Sequence, residues 1–326
     1  TENDHLDKAV QMFMRVNKDY PQSPLRNNFQ EFIVTYFQDA VRQAFERGDY
    51  ARVVQFFNRN ADMARDLILD RPTRDRHAAS LLKLGYNEEA AGIWSRLYAE
   101  RDVEGRLPDE PPPEELMVNL AESLQKSGRS RQALALLDEL LLRHPEAAAG
   151  RELMIRALCY AELKEDARAI HALEQVLGDK SIPVEDQLPA YAMLADAYRR
   201  QQQYGNAELA LQRGLYCFGE TAKPFGDSAG ARALVAALAD LYYSHEQTKS
   251  AIEVYSEYVN LFPGARDHDM ALYRLAELLK KEGMDAKARE ISQRLLEDPK
   301  ADPVYRELAK DNMKNRAVQT QAQAIP

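Results

Sequence analysis

Small residues return at one fixed place in a repeated pattern, and nothing else in this chain restricts its fold as much. In residues 118–145, VNLAESLQKSGRSRQALALLDELLLRHP, Ala121 and Leu124 share one helix face at i, i+3. Gly128 stops that run. Ala133, Leu137 and Leu140 then form a second apolar face at i, i+4, i+7, and Pro145 ends it. The spacing predicts a helix, a tight turn, a second helix and a stop. The stretch AIEVYSEYVNLFPGARDHDMALYRLAELLKKEG, residues 251–283, closes one such unit at Pro263-Gly264 and opens the next.

The order then repeats. The small residue of the second helix falls at Ala9, Val53, Ala90, Ala133, Ala169, Ala207, Ala251 and Ala288, with separations of 44, 37, 43, 36, 38, 44 and 37. First-helix partners are Val41/Ala44, Ala78/Leu81, Ala157/Tyr160, Ala195/Tyr198, Ala239/Tyr242 and Ala276/Leu279. In the 191–215 copy the last large residue, Leu215, falls one place late. Small residues let two helices approach, and large residues one turn away fill the gap beside them. One helix pair cannot bury its apolar face alone, so neighbours must stack.

A period near 34 with short insertions resembles the tetratricopeptide-repeat family over nearly the full length. The resemblance implies an all-α fold, a right-handed α-α superhelix of about seven and a half helix-turn-helix repeats. A single solenoid is expected over residues 1–310. It comprises a half repeat at 5–20, repeats near 29–60, 71–102, 114–146, 150–179, 188–218, 232–263 and 269–299, and a capping helix at 302–315. Residues 316–326 read as a disordered tail. Insertions fall at 18–28, at the proline-bearing 105–115 and at the turn-rich 217–230. The chain opens without methionine and on half a repeat, so further sequence is expected upstream.

Chemistry is sparse. Cys159 and Cys217 make neither a disulfide framework nor a metal motif. None of the six histidines has an i, i+4 partner, and HExxH, GxSxG, GxGxxG and phosphate-loop patterns are missing. We expect no enzyme, no cofactor and no metal. The net charge of −9 gives no general attraction to nucleic acid. The longest apolar run, Leu134–Leu142, is broken by Asp138 and Glu139, well short of the roughly 18 residues of a membrane span. The expected partner is a protein or peptide; the oligomeric state stays open, with a monomer favoured.

In the family, first helices line a concave groove. Carried over position by position, the resemblance places there Asn119 and Glu122, then Asp196, Arg199 and Arg200, then Asp240 and Tyr243, then Tyr273, Arg274, Glu277 and Lys280. Gln38, Arg42, Phe45, Asp75, Arg76, Gln125, Met154, Leu158, Ala161 and Met193 share that register. Tyrosine and arginine beside carboxylates suit a recognition surface. Members that clamp a peptide C-terminal carboxylate use a Lys and Asn set; Val118 and Glu122 stand at the first pair here, which argues against that clamp. The later repeats look like those of bacterial periplasmic and envelope proteins, which implies a tethered or exported location in a Gram-negative cell, the alternative being cytoplasmic. The expected function is a non-enzymatic scaffold holding a partner's peptide or helix in the groove. The competing reading is a ligand- or peptide-sensing module attached to an upstream effector domain.

Overall fold

The computed structural model describes residues 26–61, 69–100, 113–144, 150–180, 182–221 and 223–310, with single positions before residue 26 and at 313. Most of the expected half repeat at 5–20, most of the insertion at 105–115 and the tail at 316–326 lie outside the described residues. Every regular element among the described residues is helical. In chain order they are α1 (Arg26–Glu46), α2 (Tyr50–Arg59), α3 (Arg71–Lys83), α4 (Asn87–Glu100), α5 (Pro113–Lys126), α6 (Ser130–Arg143) and α7 (Gly150–Glu162). Next come α8 (Asp166–Gly178), α9 (Val184–Arg200), α10 (Tyr204–Gly219), α11 (Ala229–Ser244), α12 (Thr248–Leu261), α13 (His268–Lys281) and α14 (Asp285–Glu297). Residues 303–310 add a further helix where the cap was expected.

Seven turns share one geometry. The residue closing the first helix has positive φ at Gly48, Gly85, Gly128, Lys164, Gln202, Glu246 and Gly283, with φ between 56° and 85°. Its N–H donates three residues back, as from Gly128 to the Gln125 carbonyl at 2.8 Å. The next N–H donates five back, as from Arg129 to the Leu124 carbonyl at 2.8 Å. Both bonds form at six of the turns and satisfy the last carbonyls of the first helix, which is a Schellman stop. Only four of these seven residues are glycine, so the turn is set by its hydrogen bonds and by the helices on either side.

The second-helix small residue lies five places after each positive-φ residue: Val53, Ala90, Ala133, Ala169, Ala207, Ala251 and Ala288. All seven are buried. So are the residues seven places before the turn: Val41, Ala78, Ala121, Ala157, Ala195, Ala239 and Ala276. Trp94, Leu137, Leu173, Leu211 and Tyr255 follow on the second helices and are buried too. Replacing one such leucine by alanine costs about 2–5 kcal/mol.

Leu215 is not the late partner that its spacing suggested. The register position is Gly214, which is buried, while Leu215 is half-buried. A Cβ at Gly214 would meet Leu234 Cδ1 and Tyr191 Cγ, each at 2.8 Å. Tyr191 of α9 and Leu234 of α11 occupy the volume that a leucine fills elsewhere.

The described residues of the insertion after α10 carry local structure. A 3-10 turn, Phe225–Asp227, sets the Phe225 ring edge-on against Phe218 at 5.0 Å, and Ser228 caps α11 by accepting from the Ala231 N–H at 3.1 Å.

The chain forms two compact units divided between Lys164 and Glu165, at the turn from α7 to α8. In unit 1, α1–α7, one apolar cluster joins Ile33, Phe37, Val41, Val53, Phe56 and Phe57. A second begins with Val54 and Ala78 and runs through Leu81, Trp94, Leu120 and Leu137 to Ile155. In unit 2, which holds α8–α14 and the closing helix, each of α8–α14 packs on its neighbour, and α9 also meets α11.

Candidate functional site

In unit 2, expected groove residues from three helices converge. A depression of about 490 Å³ is lined by Asp196 and Arg199 of α9, Asp240, Tyr243 and Ser244 of α11, and Arg274 of α13. Its apolar floor is mostly small, with Ala192, Ala195, Ala207 and Ala237 beside Leu211 and Leu241. The register explains the convergence. Asp196, Asp240 and Glu277 each stand six residues before a positive-φ turn, and Arg199, Tyr243 and Lys280 stand three before it. Equivalent positions on successive first helices therefore face the same way.

A polar lattice joins the helices. The Tyr255 hydroxyl of α12 donates to Asp240 Oδ1 at 2.6 Å, and Arg274 Nη1 donates to the Tyr255 oxygen at 2.8 Å. Arg274 also pairs with Asp240, and its guanidinium lies over the Tyr243 ring, 5.0 Å from the centroid. The Tyr243 hydroxyl donates to Glu277 Oε2 at 2.9 Å. Burial first, then the accepting carboxylate, pushes both phenols above the usual tyrosine range: Glu277 acts on Tyr243, Asp240 on Tyr255. Burial works against the Arg274 charge, but Tyr255 and Asp240 outweigh it and hold the guanidinium protonated.

Arg199 stands apart from that lattice. Among the described residues it pairs along its own helix alone, with Asp196 at 2.6 Å, and its side chain is 55% exposed. Arg200 bridges Asp196 and Asp166 of α8 outside the lining. Tyr273 turns toward the closing helix, its ring 6.1 Å from that of Tyr305. Glu277 reaches the depression through Tyr243 alone, and Lys280 lies half-buried on α13 outside it.

Tetratricopeptide-repeat models match residues 115–147, 188–216 and 270–301. Those segments hold α5/α6, α9/α10 and α13/α14. These three helix pairs are tetratricopeptide repeats. No curated protein matches the chain. Among solved structures, the C-terminal part of a tetratricopeptide protein from Cytophaga hutchinsonii aligns with TM-score 0.58 at 13% identity, over 83% of this chain and 98% of that one. A tetratricopeptide repeat protein from Parabacteroides merdae gives 0.53 at 15%, over 86% and 99%. PilF of Pseudomonas aeruginosa gives 0.51 at 15%, over 74% and 97%. At these identities the likeness concerns the fold. Tetratricopeptide repeats are in general protein–protein interaction scaffolds and typically non-catalytic. Among the described residues no three His, Cys, Asp or Glu side chains gather where a metal could sit, and no helix is long and apolar enough to cross a membrane.

The helix pairs of unit 1 treat the same register differently. Asn119 is buried, not open to a groove, and accepts from Arg151 Nη2 at 2.7 Å. Glu122 is held by Lys126 at 2.6 Å and by Arg151 of α7. Burial raises its pKa, but hydrogen bonds from Lys126 and Arg151 outweigh that and keep it below the usual carboxylate range. Gln125 is buried as well, donating to Glu162 Oε1 at 2.6 Å. Asp75 faces inward, accepting from the single tryptophan, Trp94, at 2.7 Å. A tetratricopeptide register fixes which way a side chain points; a long neighbour such as Arg151 decides whether it stays open.

Sequence reasoning missed the alanine floor and Tyr255. The floor had a signal in the alanines at Ala192, Ala195 and Ala237, seven to ten places ahead of their turns. Tyr255 had none, because second-helix aromatics read as core.

Proposed function

We propose that this chain is a non-catalytic scaffold whose unit 2 holds a peptide segment or helix of a partner protein in the depression between α9, α11 and α13. The observation that carries the reading is the meeting of five groove-register residues, Asp196, Arg199, Asp240, Tyr243 and Arg274, over an alanine floor. Small floor residues let a partner's backbone come close. The walls offer a planar cation, a phenol and carboxylates already fixed by the lattice, so little side-chain entropy is lost on binding. Unit 1 supports no equivalent reading at Asn119 and Glu122, which Arg151 already occupies.

The test is capture of a partner from the native organism, followed by affinity measurement with that partner and the full chain. Arg199→Glu reverses the exposed charge, and Ala237→Arg fills the floor. Each is expected to weaken binding by ten-fold or more, about 1.4 kcal/mol, without lowering the melting temperature appreciably. Leu209→Asp is the control. That leucine is 63% exposed and lines a separate depression of about 420 Å³ among α8, α9 and α10. Loss of binding in Leu209→Asp alone would move the site to that face. Unchanged affinity in both groove variants would overturn the proposal.

A further inference from the structure

We infer that the seam between the two apolar clusters of unit 1 is a pH-sensitive joint, closed around a neutral His77 and loosened when that imidazole takes up a proton. The geometry is specific. The His77 ring lies flat on the Phe57 ring, with centroids 3.6 Å apart and planes 5° from parallel. Phe57 belongs to the first apolar cluster. Ala78, the residue after His77, belongs to the second, as does Val54 of the same α2. The histidine therefore sits where α1–α2 meet α3–α6.

Among the described residues, no group is placed to welcome a charge on the ring. Neither nitrogen makes a hydrogen bond among the described residues, and burial alone takes the imidazole from 6.5 down to about 4. On the surrounding helices, Glu31, Glu88 and Glu89 are exposed to solvent, and the other carboxylates of α1, α3 and α4 have their own partners. On α1, Asp39 and Glu46 both pair with Arg42. On α2, Arg52 lies over Phe56, and it and Arg59 are cations, which offer no counter-ion. On α3, Asp75 takes the Trp94 N–H, and Glu100 of α4 is held by Arg74. A charged imidazole over a ring face would gain a cation–π contact, worth roughly two- to thirty-fold in an equilibrium. The burial effect corresponds to about three-hundred-fold and therefore wins.

The sign follows from proton counting. Between pH 6.5 and about 4, an opened joint binds the proton and the closed one does not. Falling pH thus favours opening across that window, and below it the effect stops growing. Between pH 7 and 5 the opened population is expected to rise about ten- to twenty-fold.

Hydrogen exchange on the full chain at pH 7 and pH 5, corrected for intrinsic rates, reads this directly. Peptides from α1–α3 are expected to lose protection by that factor while α11–α14 keep theirs. His77→Phe preserves the stack and is expected to abolish the response. An equal pH response in wild type and His77→Phe would overturn the inference. So would an NMR titration of the wild-type chain placing His77 at 6.5 or above, a measurement that does not need the variant to fold.

Discussion

A methyl group at Gly214 has nowhere to go, because Tyr191 and Leu234 come within 2.8 Å of where its Cβ would be. The gain in helix propensity from Gly to Ala, about 1 kcal/mol, is smaller than the 1–3 kcal/mol or so that overpacking costs. Gly214→Ala should therefore destabilise the chain by up to about 2 kcal/mol net. Gly92, mid-helix in α4 with open space around its Cβ, is the opposite case. Gly92→Ala should stabilise by about 0.5–1 kcal/mol. Urea melts of the two variants check both signs. At this scale the sequence was only partly legible. The buried alanines were readable from their spacing. Gly214 was not, because a glycine in a leucine register reads as a slip until Tyr191 and Leu234 are seen filling its place. Nor could spacing show that Arg151 reaches across to Asn119 and Glu122.

The turn is the element that carries the repeat. It needs a residue with positive φ, a conformation costing an ordinary L-residue about 1–2 kcal/mol. Lys164, Gln202 and Glu246 accept that cost. Gln202→Gly and Glu246→Gly should each therefore raise stability by up to about 1 kcal/mol. Gly128→Gln should lower it by a similar amount, with helix content by circular dichroism unchanged in all three. The turns at Gly48, Gly85, Gly128 and Gly283 announce themselves as glycines. Those at Lys164, Gln202 and Glu246 were legible only through the alanine five places later, since lysine, glutamine and glutamate are ordinary helix residues with no stop signal of their own. The helix ends thus emerged from the phase of the pattern more than from local propensity.

In the molecule as a whole, helices meet sequence neighbours and next-but-one neighbours within each unit. A linear array of that kind spreads damage only locally. Gly214→Ala should therefore reduce hydrogen-exchange protection in α9–α11 while leaving α3–α6 at wild-type values; a uniform loss across both units would contradict nearest-neighbour stacking. The all-helical architecture was open to sequence reading because a small-residue register kept over seven intervals outweighs the degeneracy of any single copy. The division between Lys164 and Glu165 was not, since no proline, glycine or change of composition marks it.

Gly214 has one more implication, which concerns how such a chain can change over generations. Most of these helix pairs present interchangeable joints, an alanine on one side and a leucine, tryptophan or tyrosine on the other. Duplication or shuffling could splice them with little repair. The helix at 204–219, α10, works as a keyed joint: its gap fits only a neighbour bringing Tyr191 and another bringing Leu234. Recombination that moves α10 would have to carry α9 and α11 along with it, so these three helices form the smallest block of unit 2 that can be inherited or transplanted intact.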